Sequence, residues 1–350
     1  MSIDPGIIRL GQIPEALLDV SATELHRLFP QPTLLHLDGQ RSDPLFVSVL
    51  LHGNETTGLF AVQTLLKKYL YKPWPRAVSL FFGNVQAAKA GLRHLDNQPD
   101  FNRIWPGTEL GSCTETRWAH AIVDEMADRR VFASIDVHNN SGRNPHYSCL
   151  ERLDGPSLNL GVLFDRLVIY SPYPKGSQTG AFAPACPSVT LECGYPGETD
   201  GVKHAVEFIE TCLRLSGMPS HPRISQAMDL FNTLAQVTVR DEVNFSYSEP
   251  QADLLLRESL DELNFVELPP GTFLGKLNPI NPQTLLPLIA LTDGGKDIAA
   301  EYFHVVNNQL VLAKPAIFCM SSMDERTIRQ DCLGYLMERI KRESLLNIEI

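Results

Sequence analysis

"LFVSVLLHGNETTGLF", residues 45–60, carries an unbroken apolar run into His52-Gly53-Asn54-Glu55 and then into a helix-like segment. A short apolar run bounded by a turn is what a strand covered on both faces requires, so residues 45–51 are read as a buried strand. Ending such a strand with an imidazole and a carboxylate three residues apart has two explanations. One is a polar turn; the other is a metal site at the mouth of a sheet. The neighbouring sequence supplies the sheet. Further strands are expected at 78–83 ("VSLFFG"), 132–138 ("FASIDVH"), 165–170 and 187–192 ("PSVTLE"), with helices such as 57–70 and 114–128 between them. In the second of these helices Trp118, Ile122 and Met126 recur at helical spacing and are expected to face the core. Strands alternating with helices predict an α/β sheet with many parallel neighbours and helices on both faces.

This α/β pattern runs over residues 1–225, and the Pro/Gly/Ser-rich "GMPSHPRIS", 217–225, reads as a boundary. Beyond it, "QVTVRDEVNFSYS", "NFVELPPGTFLGKL", "LLPLIAL" and "QLVLAKPAIFCM" are short strand-like runs between Pro, Gly and Asn, predicting a smaller all-β domain over 230–322. Residues 323–350 are expected to form a helical tail, charged and helical in pattern over 323–346.

Composition narrows the function. Of 350 residues 43% are hydrophobic and 20% charged, the mixture of a globular protein that can bury a large core. A net charge of −11 argues against nucleic-acid or anionic-membrane partners. No apolar run approaches the roughly 20 residues of a membrane span, and "MSIDPGIIRLGQIPEALLDV" does not read as a signal peptide. Seven scattered cysteines without a Cys-x-x-Cys pair suit reduced thiols, so a cytoplasmic location is expected.

A hydrolytic zinc ion takes three protein ligands, often two His and a carboxylate, and keeps one position for water. His52 and Glu55 supply two of them where a strand gives way to a helix. The spacing alone is weak evidence, because His204-Ala205-Val206-Glu207 repeats it inside an amphipathic helix, where it reads as a solvated face. The third ligand is expected from His138, which ends another strand. Strand alternation puts Asp136 on the same face, suited to accept the other ring N–H of a ligating His. Glu192 ends a third strand before the turn-rich Cys193-Gly194-Tyr195-Pro196-Gly197; a buried carboxylate there is costly without a partner or a task. Three strand ends thus offer His/Glu chemistry to one edge of a sheet, where ligands of open α/β sheets bind. The "DFNRIW" loop, 100–105, adds Asn102 and Arg103, packed down by Phe101, Ile104 and Trp105, and Arg93 lies upstream. A guanidinium fork beside an amide suits a carboxylate.

Taken in order, His52-Gly53-Asn54-Glu55, Asp100-Phe101-Asn102-Arg103, Asp136-Val137-His138-Asn139 and Leu191-Glu192-Cys193-Gly194 resemble the succinylglutamate desuccinylase/aspartoacylase family, a branch of the zinc carboxypeptidases. The resemblance covers residues about 40–200, and the β-rich region after 230 looks like that family's second domain. It implies a carboxypeptidase-like mixed sheet flanked by helices, and Zn2+ held by His52, Glu55 and His138. It also implies Glu192 as general base and acid, Asn102 and Arg103 gripping a substrate carboxylate, and Arg93 polarising the scissile carbonyl. The expected activity is hydrolysis of the amide bond of an N-acyl amino acid or similar small carboxylate-bearing substrate, with zinc acting as Lewis acid and acidifying a water. One departure is visible. Residues 167–191 contain no Arg where aspartoacylase-like members place one for the substrate's second carboxylate, and Lys175 is the only basic residue there. This points away from N-acetylaspartate towards another acyl-amino acid or a short peptide. The alternatives are a metallocarboxypeptidase acting on short peptides, a non-catalytic zinc-binding or ligand-sensing protein, and, more remotely, a Cys193 hydrolase. No Gly-x-Ser-x-Gly elbow or phosphate-cradling glycine loop is present.

Overall fold

The computed structural model describes residues 6–172, 174–221, 228–278 and 286–341. These fall into two compact units, one running to Asn139 and resuming over His146–Asp229, the other comprising Asn140–Pro145 and Leu230–Lys341. Part of the expected boundary, 222–225, and the end of the expected tail, 342–350, lie outside the described residues.

The strands of the first unit are β1 (Ile8–Leu10), β2 (Thr33–Leu37), β3 (Leu45–Val49), β4 (Val78–Phe82), β5 (Ala133–His138), β6 (Tyr147–Leu150), β7 (Leu167–Tyr170) and β8 (Ser188–Glu192). They lie in the order β1-β2-β4-β3-β5-β8-β6-β7. The four central strands β4, β3, β5 and β8 run parallel, while β2 and β6 join antiparallel to β4 and β8. The sheet is therefore mixed. Every residue of β3, β4 and β5 is buried, as the unbroken apolar runs require.

The helices of this unit are α1 (Leu25–Leu28), α2 (Thr57–Tyr69), α3 (Val85–Ala90), α4 (Thr114–Asp128), α5 (Gly155–Phe164), α6 (Gln178–Phe182) and α7 (Thr199–Arg214). Several start on side chains that satisfy the first free amides: Asn84 accepts from Ala87 N, Asp154 from Ser157 N and Ser177 from Gly180 N. Register and alternation assign the faces. Val49 and Val137 pair on one face, where Gly58 of α2 lies against both. Phe46, Ser134 and Asp136 lie on the other, where Phe46 stacks on Phe182 of α6 at 4.7 Å. Ile122 and Met126 of α4 are buried in that second cluster with Trp105, and Trp118 packs against it half-buried. Trp118, Ile122 and Met126 thus face inward as their spacing demands.

The second unit holds β9 (Asp229–Val239), β10 (Phe245–Ser246), β11 (Leu254–Leu256), β12 (Glu267–Leu268), β13 (Phe273–Leu277), β14 (Leu288–Leu291), β15 (Phe303–Val306), β16 (Gln309–Leu312), β17 (Ala316–Cys319) and β18 (Gly334–Arg339), with α8 (Ala299–Tyr302) and α9 (Glu325–Gln330). Strands β10-β11-β13-β16-β15 form a five-stranded sheet, and β9-β18-β17-β12 a second array in which β14 also pairs with β9. The helical expectation after residue 323 is corrected. Among the described residues of that stretch only Glu325–Gln330, capped by Asp324, is helical, and Gly334–Arg339 is a strand that pairs antiparallel with both β17 and β9. Gly-Tyr-Leu-Met-Glu-Arg carries helix-compatible residues, but two flanking strands supply hydrogen bonds that override a weak local preference. Among the described residues no helix is long and apolar enough to cross a membrane.

Candidate metal and catalytic centre

The parallel pairing of β3, β5 and β8 brings their C-terminal ends side by side, with Val49 opposite Val137 and His138 opposite Glu192. Beyond β3 the chain turns sharply. Leu50 adopts a positive φ of 56°, a costly conformation for a leucine, and its carbonyl accepts from Asn84 N at 2.7 Å. Gly53 then passes so close to α3 that a Cβ there would lie 2.1 Å from Ala88 N, and its own N donates to Arg93 O at 3.0 Å. Only glycine fits at position 53 in this turn.

The side chains converge. His52 Nδ1 lies 2.8 Å from Glu55 Oε1, His138 Nδ1 lies 2.7 Å from Glu55 Oε2, and the two Nδ1 atoms are 3.1 Å apart. The opposite ring nitrogens are committed elsewhere: His52 Nε2 to Asp100 Oδ1 at 3.0 Å and His138 Nε2 to Asp136 Oδ2 at 2.6 Å. A carboxylate has no proton to give, so each Nε2 carries hydrogen, and each Nδ1 is left to face Glu55. Asp136 is fully buried and is also held by Ser48 Oγ at 2.7 Å. Among the described residues, His52, Glu55 and His138 are the one group of three or more His, Cys, Asp or Glu side chains placed to hold a metal ion.

The electrostatics fit a divalent cation. Three carboxylates, the buried Glu55 and Asp136 and the partly buried Asp100, surround the two imidazoles, so positive charge has to enter as protons or as a metal ion. Without a cation, protons do this: burial alone would lower the His138 pKa, but Asp136 and Glu55 overcome it and hold it well above the usual range. Burial would likewise raise Glu55, yet His52 and His138 bring it far below an ordinary carboxylate. Asp100 follows the same pattern, with burial opposed by His52, Arg93 and Arg103. Glu192 behaves differently. Burial raises it to about 8, Glu55 and Asp136 add to the rise, and His138 and Arg93 counter only part of it. Burial thus sets Glu192 apart from Glu55 and Asp100, which their cationic neighbours hold ionised.

Arg93 is mostly buried and forks onto Asp100, with Nε and Nη2 3.1 and 3.0 Å from Oδ2, and its Nη1 lies 3.7 Å from Glu55 Oε1. Asn102 is buried with Nδ2 3.4 Å from His138 Nε2, while Arg103 Nη1 donates to Asn102 O at 2.9 Å. All eight residues singled out in the sequence therefore lie in the first unit, six of them in one connected cluster, Glu192 opposite His138 on the adjacent strand and Arg103 bonded to the cluster's edge.

Sequence reasoning left two members without a role. Asp100 uses both oxygens, one on His52 and on Asn102 N, the other on Arg93. Asn139 accepts from Thr57 N at 3.2 Å and donates to Thr57 Oγ1 and Gly194 O, fastening the start of α2 to the loop after β8. Their only signal was position, each within a motif whose other members were read. The repeat His204/Glu207 takes no part, and the solvated face expected for it holds for Glu207 alone. His204 is half-buried, its Nε2 2.6 Å from Phe164 O and its ring 4.8 Å from that of His146. Cys193 is buried, and burial together with Glu192 and Glu55 pushes its thiol well above the usual range, the reverse of an activated nucleophile.

The family model described as "Succinylglutamate desuccinylase/Aspartoacylase catalytic domain" matches residues 44–158, the stretch that carries His52, Glu55, the Asp100–Arg103 loop and His138. Over that stretch this chain is similar to the catalytic domain of that family. The desuccinylase/aspartoacylase fold is also that of solved structures of low sequence identity. Succinylglutamate desuccinylase from Chromobacterium violaceum is 16% identical with a TM-score of 0.54 over 86% of this chain and 85% of that one. Succinylglutamate desuccinylase/aspartoacylase from Rhodobacter sphaeroides gives 14% and 0.57 over 87% and 88%. Murine aminoacylase 3 gives 14% and 0.56 over 86% and 96%. No curated protein matches the sequence.

Proposed function

We propose that this chain is a zinc-dependent amidohydrolase that cleaves the amide bond of an N-acyl amino acid or similar small carboxylate-bearing substrate. The observation that carries the reading is the pairing of a buried two-His, one-Glu donor set with a buried carboxyl, Glu192, opposite His138 at the end of the adjacent strand. His52, Glu55 and His138 would hold the ion, and Asp100 and Asp136 would fix the two imidazoles with Nδ1 turned inward. When bound, zinc supplies Lewis acidity for a carbonyl and lowers the pKa of a water.

The remaining work falls to the chain. Glu192 takes a proton from the attacking water and passes it to the leaving amine, a transfer that needs a carboxyl able to change state near neutral pH. Arg93, steered by Asp100, stabilises the developing oxyanion. Asn102 and Arg103 grip the substrate carboxylate; Asn102 Oδ1 accepts from Gln178 N, which leaves its NH2 group as the donor.

The test combines metal analysis of the purified chain with hydrolysis of a panel of N-acetyl and N-succinyl amino acids and C-terminally free dipeptides. One bound zinc with turnover of acyl-amino acids is expected. A zinc-loaded protein inert towards the whole panel sinks the proposal, and preference for dipeptides replaces it with a carboxypeptidase.

A further inference from the structure

Resting on the assignment of Asn102 and Arg103 as the carboxylate grip, we propose that Gly176–Thr179 is a positioning segment. It ties that grip to the two strands bearing His138 and Glu192 and so sets the span between a bound carboxylate and the scissile bond. Its residues make buried polar bonds in both directions. Towards the grip, Gln178 N donates to Asn102 Oδ1 at 2.9 Å, which fixes the amide's orientation, and Gly176 O accepts from Trp105 N at 3.0 Å. Towards the strands, Gln178 Nε2 donates to Ser134 Oγ at 2.5 Å, and Thr179 Oγ1 lies 2.7 Å from Thr190 Oγ1. Ser134 and Thr190 occupy β5 and β8 on the face that His138 and Glu192 share, since the register pairs Ser134 with Ser188, Asp136 with Thr190 and His138 with Glu192.

Gly176 is the tightest point. Its φ is +73°, and a Cβ would stand 2.5 Å from Arg103 O and 2.8 Å from Thr108 Cβ. Thr108 Oγ1 holds the same Arg103 carbonyl at 2.6 Å, so the backbone of Arg103 is clamped from two directions. Apolar packing of α6, through Phe182 on Phe46 and Trp105, does not require this polar lacing. Burying amide and hydroxyl groups costs free energy unless they bond, so the network specifies position at a cost that packing alone would avoid.

The test uses zinc-loaded full-length protein and the acyl-amino acid panel, with Gly176→Ala, Gln178→Met and Arg103→Ala. Gly176→Ala is expected to raise KM about tenfold or more. Gln178→Met should raise it about three- to tenfold, the size of one lost hydrogen bond. In both, kcat stays within about threefold, zinc content holds and Tm falls by no more than about 5 °C, and the ratio of kcat/KM between substrates one methylene apart changes, as expected when binding common to the ground and transition states is lost with the span that fixed it. Should Gly176→Ala not fold, Gln178→Met decides. If Arg103→Ala raises KM while both segment variants leave KM and the ratio unchanged, the positioning role is overturned and the grip stands. If Arg103→Ala leaves KM unchanged, the grip itself is wrong and the proposal falls with it. A loss of kcat in step with zinc content or Tm shows an ordinary structural role and overturns the proposal, as does a panel that is wholly inert.

Discussion

This chain writes His-x-x-Glu twice, at His52/Glu55 and at His204/Glu207, and the two copies share nothing but spacing. In the first, the imidazole and carboxylate meet at 2.8 Å, both buried. In the second, on α7, His204 turns to Phe164 O, while Glu207 is exposed and its Oε1 lies 3.9 Å from Lys203 Nζ. The spacing therefore does not make the site. A turn at the end of a parallel strand, tightened by Leu50 and Gly53, aims the first pair at the ends of β5 and β8. A regular helix holds the second pair apart, His204 turned to Phe164 O and Glu207 out to solvent. The candidate site arises where neighbouring strand ends converge and bring His52, Glu55, His138 and Glu192 together.

The sharpest way to break that contrast is to remove one ligand. His52→Ala or Glu55→Ala is expected to abolish stoichiometric zinc binding and lower kcat/KM by on the order of 10³ or more, as loss of several kcal/mol of transition-state stabilisation requires. His204→Ala should leave zinc content unchanged. Equal zinc loss in both would mean that the second pair also serves the ion. Next in size is Glu192→Gln, which keeps the shape and removes the titrating carboxyl. Turnover should fall by about 10²–10⁴ with zinc retained. Near-normal activity would remove Glu192 from the mechanism.

How much of this was legible follows the same division. The strands at 45–51, 78–83, 132–138 and 187–192 and the helices at 57–70 and 114–128 were readable, because burial on both faces and a 3.6-residue period leave their mark within one segment. The geometric convergence of His52, Glu55 and His138 was readable from the ends of those strands. Asp100, Asn139 and Gln178 had no role in the sequence reading, since what they do depends on loops meeting after the sheet has formed. Gly334–Arg339 looked helical because its neighbours in the sheet, β9 and β17, are far away in the chain. His204 looked solvated because its partners, Phe164 and His146, come from elsewhere in the chain.

The partners of the ring nitrogens offer an intermediate test. Asp100→Asn and Asp136→Asn each remove an anionic acceptor from a ligating imidazole, and zinc affinity should weaken by about 10–100-fold in a chelator competition. An unchanged affinity in both would show that the imidazoles are oriented without them. Glu192 adds a pH signature. Its folded pKa of about 8 lies above the ordinary 4.5, so the folded state holds a proton that the unfolded chain has released between those values. The metal-free protein should therefore lose stability as pH rises through that window, by up to ~1.4 kcal/mol per pH unit from this group. Glu192→Gln should flatten the slope in urea melts at pH 5, 6.5 and 8; an identical slope in wild type and variant would show that Glu192 does not carry it.

The smallest expected effect sharpens the comparison from the other side. Glu207 is exposed and only loosely opposite Lys203, so Glu207→Ala should change stability by no more than ~0.5 kcal/mol and leave zinc and turnover untouched. His204→Ala should cost somewhat more, about 1 kcal/mol, because its ring N–H is lost to Phe164 O. The order matters more than either value. In the second pair the imidazole and the carboxylate answer to different neighbours, so a double variant should show the sum of the single effects. In His52/Glu55, which share one cluster, the second substitution should add little to the zinc loss caused by the first. Additivity in the first pair and coupling in the second would reverse the assignment of which copy is the site.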